Sequence, residues 1–207
     1  MKTKIAVATV NGRAYYELVT ELYNKRLPFL SLKPWDNVPS NIKVVITTKE
    51  ESDKVEHNTV LCYEQGSNPE FVIDEAVLKV QDKQGYKKIV VGVDPGNNCG
   101  IAILGDNQVI ETKTATRIDD AANLILDNVK RFPAETKIVR IGDGTPEYTT
   151  ELVSLLDESL PKEILVEIVK EAGTSRLPRK SVNRRLLKDK ISAIKIAGRT
   201  GEAFARK

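Results

Sequence analysis

Four carboxylates lie where alternating strands and helices would gather them. Asp94 ends the apolar run Ile89-Val90-Val91-Gly92-Val93 and opens a Pro95-Gly96 turn. Asp143 follows the run Ile138 to Ile141 and stands between Gly142 and Gly144. Glu171 follows the run Ile164 to Val169, and Asp189 shares helical spacing with Val182, Leu186, Ala193 and Ile196. A carboxylate at the end of a buried strand is costly unless something pairs with it. Hard divalent cations take such oxygens. Several carboxylates at one edge would repel one another and raise some of their pKa values, and Mg²⁺ or Mn²⁺ would relieve that repulsion. Two such ions about 3.5–4 Å apart can activate a water and stabilise the leaving oxygen in phosphodiester hydrolysis. Each acid also has a plainer reading. Asp-Pro-Gly is a common turn, and Asp143 between glycines fits a turn as well. Glu171 can pair with Arg176 at the surface, and Asp189 with Arg185 on its own helix.

For these acids to meet, the elements must end at one edge of a sheet. From residue 87 onward the pattern predicts β-β-β-α-β-α-β-α. Two apolar strands flank the Asp94 turn, and Val109 to Thr116 makes a third. A helix spans Ile118 to Phe132, and Lys137 to Ile141 forms a strand. Pro146 opens a helix running to about Leu160, Ile164 to Val169 is a fifth strand, and a last helix runs from about Ser181 to Gly198. Antiparallel hairpins joined to parallel strands by helical crossovers make a mixed five-stranded sheet covered on both faces. Sites in such sheets form at the carboxyl ends of the parallel strands. Residues 1–86 read as a separate small α/β domain with a mostly parallel sheet, and no catalytic constellation is found there. Its expected strands cover Lys4 to Val10, Phe29 to Leu32, Lys43 to Thr48 and Thr59 to Tyr63. Its helices cover Gly12 to Lys25 and a segment opened by Asn68-Pro69. The polar stretch Gln81 to Lys87 is the expected boundary.

Composition narrows the chemistry. A single histidine excludes a three-histidine zinc site, and His57 itself reads as a solvated loop residue. Cys62 and Cys99 are too far apart to suggest a disulfide framework or a cysteine metal site. The lack of a disulfide framework leads to the expectation of a cytoplasmic location, and no stretch approaches the roughly 20 apolar residues of a membrane span, so no membrane contact is expected. Met1 to Val10 reads as a first strand and not as a signal segment. Trp35, beside prolines, is expected to pack. From Arg176 onward eleven lysines and arginines face two acids, a charge of +9, which leaves −6 for the rest of a chain whose net charge is +3. A basic end on an acidic body fits a polyanionic partner. Arg176, Arg179, Lys180, Arg184, Arg185 and Lys188 are the expected phosphate contacts.

These residues also carry a resemblance. Val91-Gly92-Val93-Asp94-Pro95-Gly96 with Gly100 resembles the first-strand motif of the YqgF/RuvC-like nucleases of the ribonuclease H-like fold. Ile141-Gly142-Asp143-Gly144-Thr145 with Thr150-Glu151, and Glu171-Ala172-Gly173-Thr174-Ser175, are similar to stretches of the YqgF-like domain of Tex. Asp189 with Ser192-Ala193 resembles the last-helix motif of YqgF. The resemblance spans about Lys88 to Gly201. It implies a metal-dependent nuclease site of Asp94, Glu171 and Asp189, with Asp143 as a fourth catalytic acid.

The function expected from this reading is a Mg²⁺- or Mn²⁺-dependent nuclease acting on structured nucleic acid, either Holliday-junction-type DNA or structured RNA. A homodimer would supply two sites simply. The alternative is a non-catalytic nucleic-acid-binding module whose acids only maintain the fold. An ATPase of the actin and sugar-kinase type also begins with an acid after a strand. It needs two such domains around a nucleotide, and the pattern occurs here once.

Overall fold

The computed structural model describes residues 3–170 and 182–206, with the backbone alone for 182–186. The chain divides into two compact units, Met1–Gln84 and Gly85–Lys207.

In the first unit the strands are β1 (Ile5–Ala8), β2 (Phe29–Leu32), β3 (Val44–Thr48) and β4 (Val60–Tyr63). They form a wholly parallel sheet in the order β2-β1-β3-β4. Helices α1 (Gly12–Asn24) and α2 (Pro69–Val80) start on well-formed caps. The Asn11 carboxamide accepts from the amides of Arg13 and Ala14, and the Asn68 side chain accepts from Glu70, with Pro69 in the first turn. Ala14, Leu18 and Leu22 of α1 join Val72, Ile73 and Ala76 of α2 over Ile5, Val7, Val44 and Ile46. The opposite face of the sheet, Ala6, Ala8 and Val45, is packed by Val38, Ile42 and Val55 from the connections on either side of β3. The order reverses between β1 and β3, so both carboxyl ends meet at a topological switch point.

Two expectations in this unit are corrected. Trp35 is 59% exposed and not packed. His57 is half-buried and not a solvated loop residue. Its Nδ1 accepts the Thr59 N–H at 3.1 Å, and its Nε2 lies 3.2 Å from the Ile42 carbonyl. The imidazole is thus used up in bridging two backbone segments.

The second unit holds β5 (Tyr86–Asp94), β6 (Cys99–Gly105), β7 (Gln108–Ala115), β8 (Ala134–Gly142), β9 (Leu165–Val169) and β10 (Glu202–Ala203). Its helices are α3 (Ile118–Arg131), α4 (Pro146–Ser159) and α5 (Val182–Ala197). The sheet order is β10-β9-β8-β5-β6-β7. Strands β5, β8 and β9 are parallel, and β6 and β7 continue antiparallel from β5. The sheet has six strands instead of the expected five, because the chain after α5 returns and pairs Glu202 with Ile168. Glu202-Ala203 is too short a run to show a period, so β10 was not legible from the sequence.

Alternation along β5 sorts its two faces. Ile89, Val91 and Val93 join the core beneath α3 and α4. Val90 packs instead with Ala102, Leu104, Ala193 and Ala197 under α5. Gly92 and Gly100 lie on this second face, and both are close approaches. A Cβ on Gly92 would come within 2.3 Å of the Ala193 carbonyl oxygen, and one on Gly100 within 2.3 Å of that of Asp189. Two missing side chains thus let α5 lie directly on the central strands. Buried Arg140 anchors the far end of that helix. It donates to the Ala197 carbonyl at 2.7 Å and to Glu167 Oε2 at 2.7 Å, placing a cation at a helix C-terminus, where it is favoured.

Candidate metal and nucleic-acid site

Asp94 is the last residue of β5, and its cross-strand partner on β6 is Gly100. The backbone of Asp189 on α5 rests against Gly100. Two acids 95 positions apart in sequence are thereby brought to one place, and the bridge between them is a glycine. Cys99, one residue earlier on β6, senses both. Burial pushes its thiol up to about 12, and the negative fields of Asp94 and then Asp189 add to the effect. Both carboxylates are half-buried, where charges interact more strongly than in open water.

Asp143 leaves the sheet at the same edge. Val93 of β5 pairs with Ile141 of β8, so Asp94 lies one residue beyond that pair and Asp143 two. The Asp143 amide donates to the Val169 carbonyl at 3.1 Å, which ties the turn to the end of β9. Its charge also helps hold Lys170 protonated, after the larger effects of the Glu202 hydrogen bond and charge.

The turn after Asp94 is held from α4. Thr145 Oγ1 donates to the Pro95 carbonyl at 2.5 Å, and the Tyr148 hydroxyl donates to Asn97 Oδ1 at 2.5 Å. Thr145 stands in the Ile141-to-Thr145 stretch quoted above, but neither contact was legible from sequence, because each joins residues about fifty positions apart. The Arg140–Glu167 pair was also missed, although a charge inside Lys137-Ile138-Val139-Arg140-Ile141 was a legible sign of a buried ionic anchor.

Of the expected site, Asp94 and Asp189 are therefore together, with Asp143 at the same sheet edge. Glu171, Arg176, Arg179 and Lys180 lie outside the described residues. Among the described residues no group of three or more His, Cys, Asp or Glu side chains is arranged to hold a metal. Asp94 and Asp189 carry the oxygen donors that hard cations take, and Glu171 is the remaining acid of the expected ligand set.

The basic region is not uniform. Lys188 is exposed on α5, and Arg184 and Arg185 lie in the same helix. Arg206 is not available to a polyanion. Its guanidinium is sunk against the end of α4, where it pairs with Asp157 at 3.2 Å and donates to the carbonyls of Asp157, Leu160, Pro161 and Ile164. It closes the C-terminal carbonyls of α4 and pins the chain beyond β10. Among the described residues no helix is long and apolar enough to cross a membrane.

Comparison with known proteins places a different part of the chain. A family model described as a response regulator receiver-like domain matches residues 4–80, where the sequence reading found no motif. No curated protein matches the chain. The resemblance to YqgF/RuvC-like nucleases is corrected by this finding: the family similarity that the chain carries is to receiver-like domains, over the parallel sheet β2-β1-β3-β4 and its two helices.

Proposed function

We propose that the second unit is a divalent-cation-dependent nuclease domain that hydrolyses phosphodiester bonds in structured nucleic acid, either four-way-junction DNA or folded RNA. Asp94 and Asp189, with Glu171, are the proposed ligands of Mg²⁺ or Mn²⁺, and Asp143 is the further acid at the same edge. The observation that carries this reading is the contact at Gly100. It sets Asp189 beside the strand end that bears Asp94, with both charges acting on Cys99. A divalent ion held there would supply a Lewis acid and an activated water. The chain's own contribution is rigidity: α5 is seated on two glycines and tied down by Arg140, and the turn after Asp94 is braced by Thr145 and Tyr148.

In finer terms we read this unit as a ribonuclease H-like arrangement. The antiparallel run β5-β6-β7, the parallel β8 and β9, and a last helix across β5 and β6 support that reading. Arg184, Arg185 and Lys188 on α5, together with Arg176, Arg179 and Lys180, would hold phosphates with salt-sensitive affinity and little base readout. A homodimer would present two such sites. The receiver-like match supports a regulatory role for the first unit, as a signal-receiving or partner-binding module.

The test is incubation of junction DNA and of folded RNA with Mn²⁺, comparing wild type with Asp94→Asn and Asp189→Asn. Cleavage by wild type alone supports the proposal. The alternative, a non-catalytic nucleic-acid-binding module, is the other outcome of this test. Equal binding by all three proteins with no cleavage would establish it.

A further inference from the structure

Strand β2 (Phe29–Leu32) is the outermost strand of the order β2-β1-β3-β4. It holds neither a proline nor a charge, the usual guards of such an edge. Beside its amino end is a hollow of about 340 Å³ lined by Tyr15, Tyr23, Leu27, Pro28, Phe29 and Ser31. That volume is in the range of small-molecule pockets and ample for an aromatic ring. The walls are fixed by their own contacts. Tyr23 and Phe29 meet edge to face with ring centroids 5.4 Å apart, and the Tyr15 hydroxyl and Ser31 Oγ share a hydrogen bond of 2.7 Å. Beyond the other end of β2 stands Trp35, the one tryptophan of the chain. It is 59% exposed on a braced turn. The Asp36 amide donates to the Lys33 carbonyl at 3.0 Å, and the Lys33 amide donates to Asp36 Oδ2 at 2.8 Å. An indole held out in this way is the kind of side chain that anchors an interface.

We propose that this edge is a homodimer interface, in which the β2 strands of two copies pair antiparallel about a two-fold axis and Trp35 of each enters the aromatic hollow of the other. Side chains opposite one another in an antiparallel pair share one face of the sheet. With the axis at Ser31, Leu30 of one copy faces Leu32 of the other. Trp35 then comes level with Leu27 of the second copy, a residue that lines the hollow. The same register sets Arg26 against Asp36, both exposed and opposite in charge. Knob, hole and both members of the charge pair thus lie on one edge, which is complementary to itself as an isologous interface must be. This inference gives the homodimer proposed above its surface. It does not rest on the nuclease reading, since its test needs neither metal nor nucleic acid.

The full chain is followed by light scattering and by Trp35 emission during dilution from roughly 100 to 0.1 μM. The mass should fall from two chains to one. Over the same range the emission should move to longer wavelength, as the indole leaves an apolar hollow for water. Trp35→Ala should weaken association at least about 30-fold. It should leave the melting midpoint of the dilute monomer within about 2 °C, because an exposed side chain contributes little to folding. Arg26→Asp and Asp36→Arg should each weaken self-association about 3- to 10-fold. An equimolar mixture of these two variants should associate as wild type does, because each pair across the axis is again of opposite charge. A wild type that remains monomeric throughout, a dimer that Trp35→Ala leaves intact, or a mixture no better than its components overturns the proposal. So does a monomer whose Trp35 emission responds only to added single-stranded oligonucleotide, which assigns the indole to base stacking.

Discussion

Replacing Gly100 by alanine tests the contact on which the proposed metal site depends. The added Cβ would lie 2.3 Å from the Asp189 carbonyl oxygen, 2.6 Å from its carbonyl carbon and 3.2 Å from its Cβ. Ordinary contact requires about 3.5 Å, so α5 must lift by roughly 1 Å at this point. Overpacking of this kind costs about 1–3 kcal/mol, which for a unit of this size lowers the midpoint by about 3–12 °C. A cation–carboxylate bond tolerates only about ±0.2 Å. A 1 Å retreat of Asp189 should therefore weaken Mn²⁺ binding by about 10- to 100-fold, the range seen when supporting groups of a metal site are lost. The control is Gly105→Ala at the other end of β6, where the new Cβ would meet Tyr86 at 2.5 Å and Ile110 at 2.7 Å. It should cost comparable stability and leave Mn²⁺ binding within about twofold. Titration calorimetry and thermal melts on both variants decide the matter. If Gly100→Ala is destabilised yet binds Mn²⁺ as well as Gly105→Ala does, Asp189 is not a ligand positioned by this contact.

Other consequences follow from the buried ionic groups. Arg140→Met strands Glu167 beneath α5 and should cost about 3–5 kcal/mol in urea unfolding. The double change with Glu167→Leu should recover most of that loss, and a double variant no better than the single one would contradict the pairing. Arg206→Ala should destabilise the protein by about 2–3 kcal/mol through the unmade bonds to the end of α4. It should leave the salt dependence of nucleic-acid binding unchanged, whereas Lys188→Ala should reduce that slope by about one unit. Burial pushes the Glu51 carboxyl up, but the hydrogen bonds from Thr9, Val10 and Thr48 together outweigh it and hold the group below the ordinary carboxylate value. A lowered folded-state pKa stabilises above the unfolded value, and that contribution fades as pH falls through the folded one. The stability gap between wild type and Glu51→Gln should thus be full at neutral pH and shrink below about pH 4.5; a gap that stays constant down to pH 3 would count against the bonding at Glu51. Cys62 is exposed and Cys99 buried with a thiol pushed up to about 12, so a thiol reagent should modify one cysteine in the native chain and two in denaturant. Two native thiols reacting together would disprove the burial of Cys99.

Much of this protein can be read locally. Apolar runs such as Ile89 to Val93 and Val44 to Ile46 announce strands. Asn68-Pro69 announces a helix start, because capping depends on the few residues around it. The positions of Asp94 and Asp143 at strand ends follow from where those runs stop. Local order does not say how far apart in space two elements lie. That Gly100 faces the backbone of Asp189, that Arg140 reaches Ala197, and that Arg206 closes α4 each depend on packing between residues far apart along the chain. The short β10 and the exposure of Trp35 were illegible for the same reason, since pairing and burial are properties of the partner surface. The bonding at Glu51 is the clearest case: nothing in Thr48-Lys49-Glu50-Glu51 distinguishes one glutamate from its neighbour. Only the strand order β2-β1-β3-β4 brings the ends of β1 and β3 together and makes Glu51 the acceptor of both.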